Sequence, residues 1–202
     1  MNKKTSFRKM RLLLLRLAFL PMIFIVLFVW RRWTDESIWD FIIEWSGYIF
    51  LLIGIGIRIW STLYIGQRKS RELITDGPFS ICRNPLYIGT LLVFTGVSLC
   101  FENLVLLAAG LIVLIPIHIS VIFSEEKHLT KLFGQQYLEY KKRVPRFSLS
   151  FRNFHSRANI EVPVRSIYRA TGEAMLALTV PAIGDLIEIL HANGILPILW
   201  RY

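Results

Sequence analysis

The chain has 202 residues, 54% of them hydrophobic and only 19% charged, and its mean hydropathy is +0.49. That balance excludes an ordinary soluble domain and makes an all-α integral membrane protein the first expectation. The net charge is +10, but the basic residues flank apolar runs, so membrane lipids with anionic headgroups are the expected partner rather than nucleic acid.

Lys3, Lys4, Arg8, Lys9 and Arg11 precede an apolar run over residues 12–30, interrupted only by Arg16 and Pro21. The run is near the ~20 residues a spanning helix needs and too long for a signal-peptide core, so it predicts an uncleaved first helix. An acidic connector over 31–44, with Trp30, Trp33 and Trp39 as interfacial anchors, leads to a second predicted span over 45–65. Arg58 lies inside that span and must snorkel or face the protein interior. Gly54 and Gly56 lie on the same helix, where small residues usually mean close helix packing. A polar segment over 66–84 follows. Two further spans are expected over 86–100 and 104–123, joined by the tight Phe101-Glu102-Asn103 turn.

The N-terminus and the 66–84 segment are rich in Lys and Arg, whereas the 31–44 connector is net acidic and the 101–103 turn carries no base. The positive-inside rule therefore predicts a cytoplasmic N-terminus, 66–84 loop and tail after residue 123. The apolar stretch over 171–190 holds Glu173, Asp185, Glu188 and Pro181. It is expected as an interfacial or bundle-packed helix in preference to a fifth span, because acids within a span are costly. The organisation expected is an N-terminal transmembrane hairpin over 1–74, a core over 75–147, and a basic linker with a membrane-associated helix over 148–202. Cys82 and Cys100 do not suggest a disulfide framework, and the four histidines form no ligand pair, so no metal is expected.

Three polar groups bracket the 86–123 hairpin and can meet at its water-facing end. In Arg83-Asn84-Pro85-Leu86-Tyr87, Pro85 pre-sets a first helical turn, Asn84 can cap it, and Arg83 adds charge to a helix N-terminus suited to a carboxylate or phosphate. Glu125 and Glu126 point about 100° apart on a helix, so one can accept hydrogen bonds from a polar ligand while the other faces Lys or Arg. Tyr137, Tyr140 and Arg143 recur at i, i+3 and i+6 before Val144-Pro145. They suit a lid with aromatics over a flat ring and an arginine on a carboxylate or phosphate. Each group alone also reads as a helix start, a span end or an amphipathic face.

Asp76-Gly77-Pro78-Phe79, Arg83-Asn84-Pro85-Leu86-Tyr87-Ile88-Gly89, Glu125-Glu126 and Phe133-Gly134 through Arg143-Val144-Pro145 occur in that order. Together they resemble the isoprenylcysteine carboxyl methyltransferase family and, more distantly, the phospholipid methyltransferases, over about a third of the chain. The resemblance implies S-adenosylmethionine as cofactor, bound by Arg83, Asn84, Pro85, Tyr87, Glu125, Glu126 and Tyr137. Gly54 and Gly56 would stand in the place of the Gly-x-Gly of the phospholipid enzymes. Tyr140 and Arg143 would serve the transfer step. Where the carboxyl methyltransferases typically carry His, this chain has Asn84, which hydrogen-bonds but cannot titrate; that departure weakens the case for a prenylcysteine acceptor. The implied reaction is in-line methyl transfer to a lipophilic or small acceptor carrying a carboxylate, amine or thiol. An NADPH-dependent reductase of sterol-reductase type, or a membrane module without catalysis, remains the alternative.

Overall fold

The computed structural model describes residues 20–30, 38–66, 68 and 71–202. Helix α1 is described over residues 20–28, and residues 12–19 of the first expected span lie outside the described residues. The remaining helices are α2 (Ile38–Ile65), α3 (Pro78–Ile81), α4 (Pro85–Cys100), α5 (Leu104–Phe133), α6 (Gln135–Arg143) and α7 (Val164–Ala192). Two short strands, β1 (Val29–Trp30) and β2 (Trp200–Arg201), pair in parallel and tie the C-terminal tail to the end of α1.

Among the described residues, three helices are long and apolar enough to cross a membrane: α2, α5 and α7. Of the four expected spans, those over 45–65 and 104–123 fall within α2 and α5. α4 has 16 residues and by helical rise covers about 24 Å, less than the ~30 Å of a bilayer core. α5 does not stop at residue 123. It runs on to Phe133, about 45 Å in all, so its last turns stand clear of the hydrocarbon and carry Glu125 and Glu126. α7 is long and apolar enough for the fifth-span alternative over 171–190, by length and composition.

Glu173, the first of the three acids in that stretch, is paired. Its Oε2 receives a hydrogen bond from Arg58 Nη2 of α2 at 2.5 Å, and its Oε1 one from Arg169 Nε at 3.0 Å. Arg58 also donates to Thr90 Oγ1 of α4. One acid and one base, each costly alone in a span, thereby offset each other and pin α7 to α2 and α4. Arg58→Leu or Glu173→Leu alone is expected to lower stability by about 1–2 kcal/mol, discounted because both side chains are partly exposed. The double variant is expected to lose less than the sum. Thermal unfolding in detergent across the four proteins checks this.

α2 packs most extensively on α4, antiparallel to it. α3 and the chain on either side of it form the other end of the bundle from the 101–103 turn. Gly77, at φ +58°, lets the chain turn there, and a Cβ on it would strike the Tyr64 ring at 2.2 Å. Its N–H donates to the His155 carbonyl at 2.8 Å, so the segment after α6 folds back over this end.

Candidate functional site

Pro85 stands at the first position of α4, as its fixed φ favours. Asn84 precedes it but makes no side-chain cap, contrary to the expectation. Its amide donates instead to the Arg146 carbonyl at 3.2 Å, and the Arg83 N–H donates to the Pro145 carbonyl at 2.9 Å. Cys82 Sγ lies 3.2 Å from that same Arg146 carbonyl. The start of α4 and the chain leaving α6 are therefore stitched together, although more than 60 residues separate them in sequence.

α6 supplies the third wall. Tyr137, Tyr140 and Val144 are buried together, with Leu73, Leu129 and Phe133 packed on them. The Tyr140 hydroxyl donates to the Phe79 carbonyl at 2.7 Å, which links α6 to α3. Burial pushes the Tyr137 phenol up to about 12, with nearby Glu126 adding to the shift. Burial raises Tyr140 as well. Both phenols are thus protonated at neutral pH.

These elements enclose a cavity of about 180 Å³ lined by Arg83, Asn84, Tyr87, Glu125, Tyr137 and Tyr140, with Glu126 in its wall. That is below the ~300–1,000 Å³ of common ligand clefts, so a ligand of cofactor size extends beyond the enclosed part. The Tyr87 ring stands edge-on to His118, 5.4 Å between centroids, and His118 Nδ1 lies 2.7 Å from the Leu114 carbonyl.

The two adjacent glutamates separate as their helical offset requires. Glu125 is exposed. The Glu126 side chain is only 6% exposed and faces three cations. Arg146 grips it with both prongs, Nε to Oε1 at 3.0 Å and Nη2 to Oε2 at 2.7 Å. Arg83 Nη1 lies 3.1 Å from Oε1 and Lys141 Nζ 3.9 Å from Oε2. The Arg83 side chain is 9% exposed, yet its Nε and Nη1 are buried without a hydrogen bond. Nη1 still meets Glu126 as an ion pair, so Nε is the donor left over, and a buried donor without a partner is costly and suits an anionic or polar ligand.

Arg143 does not join this group; it is exposed on the far side of α6. The i+6 step from Tyr137 carries it off the face that Tyr137 and Tyr140 share. Gly54 and Gly56 do not line the cavity either. Gly54 is pressed against α4, and Gly56 is exposed with open space around it. Arg146 and Lys141 are additions that the sequence reading did not single out. Arg146 sits just past the Val144-Pro145 stop, where no periodicity marks a residue's direction.

A second ion cluster braces the rim. Asp76 is buried and bound by Arg68 Nη2 at 2.9 Å and by Arg157 Nε at 3.0 Å. Burial alone raises its carboxyl, but hydrogen bonds and charge from Arg68, with Arg157 behind, outweigh burial and hold it below the usual carboxylate range. A depressed folded-state pKa adds stability above the unfolded value of about 3.9 and loses it as pH falls through the folded one. Asp76→Asn is therefore expected to lower the melting temperature at neutral pH and to flatten its fall below about pH 4, read from melting curves at successive pH values.

Comparison with known proteins bears on the same elements. The phospholipid methyltransferase family model matches residues 42–136, from α2 into α6. The cobalt-zinc-cadmium resistance protein CzcN of Cupriavidus metallidurans is 29% identical over 168 residues, 80% of this chain and 76% of that protein. The nickel-cobalt-cadmium resistance protein NccN of Alcaligenes xylosoxydans xylosoxydans is 30% identical over 171 residues, 81% of this chain and 79% of that one. Protein-S-isoprenylcysteine O-methyltransferase B of Arabidopsis thaliana is 31% identical over 94 residues, 46% of this chain and 48% of the plant protein. No solved structure matches the chain. Two of these names concern metal resistance; among the described residues no group of His, Cys, Asp and Glu is arranged to hold a metal ion.

Proposed function

Given that this chain belongs to the membrane methyltransferase family of the isoprenylcysteine carboxyl and phospholipid methyltransferases, we propose that it transfers a methyl group from S-adenosylmethionine to a lipophilic or small acceptor. The observation that carries this reading is Arg83. Its guanidinium is held by Glu126 through Nη1, and its buried Nε has no hydrogen bond, in the wall of the cavity. The residues present suit the cofactor's parts. Arg83 offers charge and donors to a carboxylate, Glu125 offers an acceptor to an amine or hydroxyls, and Tyr87 and Tyr137 offer ring faces.

When bound, the cofactor supplies an electrophilic methyl on a sulfonium for in-line transfer. The chain's own part is placement and exclusion of water. Glu126 fixes Arg83, and Arg146 and Lys141 neutralise Glu126, so that Arg83 is not fully consumed by one carboxylate. Tyr140, its hydroxyl committed to Phe79, holds α6 against α3 and so keeps the Tyr137 ring over the cavity. Asn84 holds the exit of α6 against the start of α4. The distribution of Lys and Arg supports a cytoplasmic side for this end of the bundle and for the N-terminus.

The test is transfer of labelled methyl from S-adenosylmethionine by the liposome-reconstituted protein, supplied with extracted lipids and, separately, with small organic acids, amines and thiols. Label entering one of these fractions, lost in Arg83→Ala and reduced in Glu125→Gln, is the expected result. Equal labelling by the wild type and both variants would remove the site assignment.

A further inference from the structure

The chain leaving α6 carries an apolar face that the described residues leave uncovered. Over residues 144–163 it is irregular and folds across the end of the bundle that holds the candidate site. Phe147, Leu149, Phe151 and Phe154 lie on it, all of them exposed, Phe151 to 67%. Large apolar side chains so closely spaced and so open are costly in water and mark a binding surface.

Both ends of this stretch are held at the depth where helices leave a membrane. At one end the Arg146 guanidinium lies 4.5 Å from the centre of the Phe123 ring, the last residue of the apolar run of α5. At the other, the Phe154 ring stands 6.3 Å from that of Trp60, in the last two turns of α2, and the Tyr64 hydroxyl meets Ser156 Oγ. α2 and α5 are both apolar enough to cross a membrane, so the stretch between these anchors runs along the headgroup layer, where aromatic rings are favoured. Charge fits the same layer. Residues 141–157 hold Lys141, Lys142, Arg143, Arg146, Arg152 and Arg157 and no acid. Glu126 and Asp76 engage Lys141, Arg146 and Arg157. Lys142, Arg143 and Arg152 are exposed and form no ion pair among the described residues, which leaves them for lipid phosphates.

We propose that residues 147–154 dock into the leaflet on the site's side of the membrane, with the apolar side chains among the upper acyl chains and Arg152 on the phosphates of anionic lipid. The docking stands on geometry and charge alone; its consequence for the cofactor rests on the methyltransferase reading. That consequence follows from continuity with the site. Arg146 grips Glu126 with both prongs, its carbonyl accepts from Asn84, and the Ser150 N–H donates to the Ile81 carbonyl at 3.1 Å. A leaflet that holds this stretch down also holds together the wall carrying Arg83 and Glu126. Cofactor affinity is thereby linked to the lipid surface.

The test uses the full-length protein in nanodiscs of phosphatidylcholine and phosphatidylglycerol, with a phosphatidylcholine probe whose diazirine sits high on an acyl chain. Photolabelled sites are mapped by mass spectrometry, and S-adenosylhomocysteine binding and the melting temperature are read on the same samples. The expected result is labelling of the 147–154 peptide as well as of the lipid-facing helices. Phe151→Ser lowers labelling of that peptide but not of α7. It also weakens S-adenosylhomocysteine binding by about tenfold at an unchanged melting temperature, the contribution one phenyl ring makes to a docking equilibrium. Phe151→Trp keeps both. Arg152→Gln lowers the labelling in mixed discs and not in discs of phosphatidylcholine alone. A 147–154 peptide left unlabelled beside labelled spans, whether bare to water or covered by a second copy of the chain, would overturn the docking. Labelling that falls in Phe151→Ser with homocysteine-compound binding unchanged would overturn the link to the site. Labelling in a wild type that binds no S-adenosylhomocysteine would overturn the methyltransferase reading and leave the docking standing.

Discussion

Glu126→Gln is expected to abolish cofactor binding and to lower stability by about 3 kcal/mol, whereas Glu125→Gln next to it lowers affinity and leaves stability unchanged. The difference follows from burial and partners. Glu126 is one carboxylate serving Arg83, Arg146 and Lys141. Neutralising it leaves the Arg83 charge buried and uncompensated, a situation that costs about 3–5 kcal/mol when both partners are fully buried. Arg146 is 29% exposed and can turn to water, which places the loss at the low end. Freed from Glu126, Arg83 also loses its orientation toward the cavity. Glu125 is exposed, so its substitution strands no charge. Thermal unfolding in detergent, beside S-adenosylhomocysteine binding for each variant, separates the two glutamates. Equal melting temperatures for the two would show that the three-cation cluster adds nothing to the fold.

Gly54→Val is expected to break the α2–α4 pairing, with a loss of about 3 kcal/mol, while Gly56→Ala changes neither stability nor cofactor binding. A Cβ on Gly54 would lie 2.7 Å from the Val93 backbone nitrogen and 2.9 Å from the Gly89 carbonyl oxygen. Two turns away along the same seam, a Cβ on Gly96 would lie 2.5 Å from the Leu51 nitrogen. Backbone atoms cannot rotate aside, so the helices themselves must separate, which places the cost at the top of the usual overpacking range of about 1–3 kcal/mol. Gly56 has nothing within 4 Å of the same position. Melting curves and binding isotherms of the two variants check this. A Gly56→Ala protein that folds normally but no longer binds the cofactor would return that glycine to the site.

Local chemistry was the legible part of this chain. Pro85 starts α4 where a proline at a first helical turn belongs, and the offset between Glu125 and Glu126 is a property of any helix. The drift from Tyr137 through Tyr140 to Arg143 was readable as a spacing, and the same spacing carries Arg143 to the exposed side. Pairings across long sequence separations were not legible. Arg58 announced that it needed a partner but not that the partner was Glu173, 115 residues away. Without that pair the acids of α7 counted against a span. Arg146 was hidden for a related reason. It leaves a helix into irregular chain, so only the fold shows that it turns back 20 residues to Glu126.

Calorimetric titration of the detergent-purified protein with S-adenosylhomocysteine, and in parallel with NADPH, tests the central claim most directly. The account predicts that S-adenosylhomocysteine binds, that NADPH does not, and that binding disappears in a folded Arg83→Ala variant. Binding of NADPH alone, or of neither compound by a protein with a normal melting transition, would contradict it.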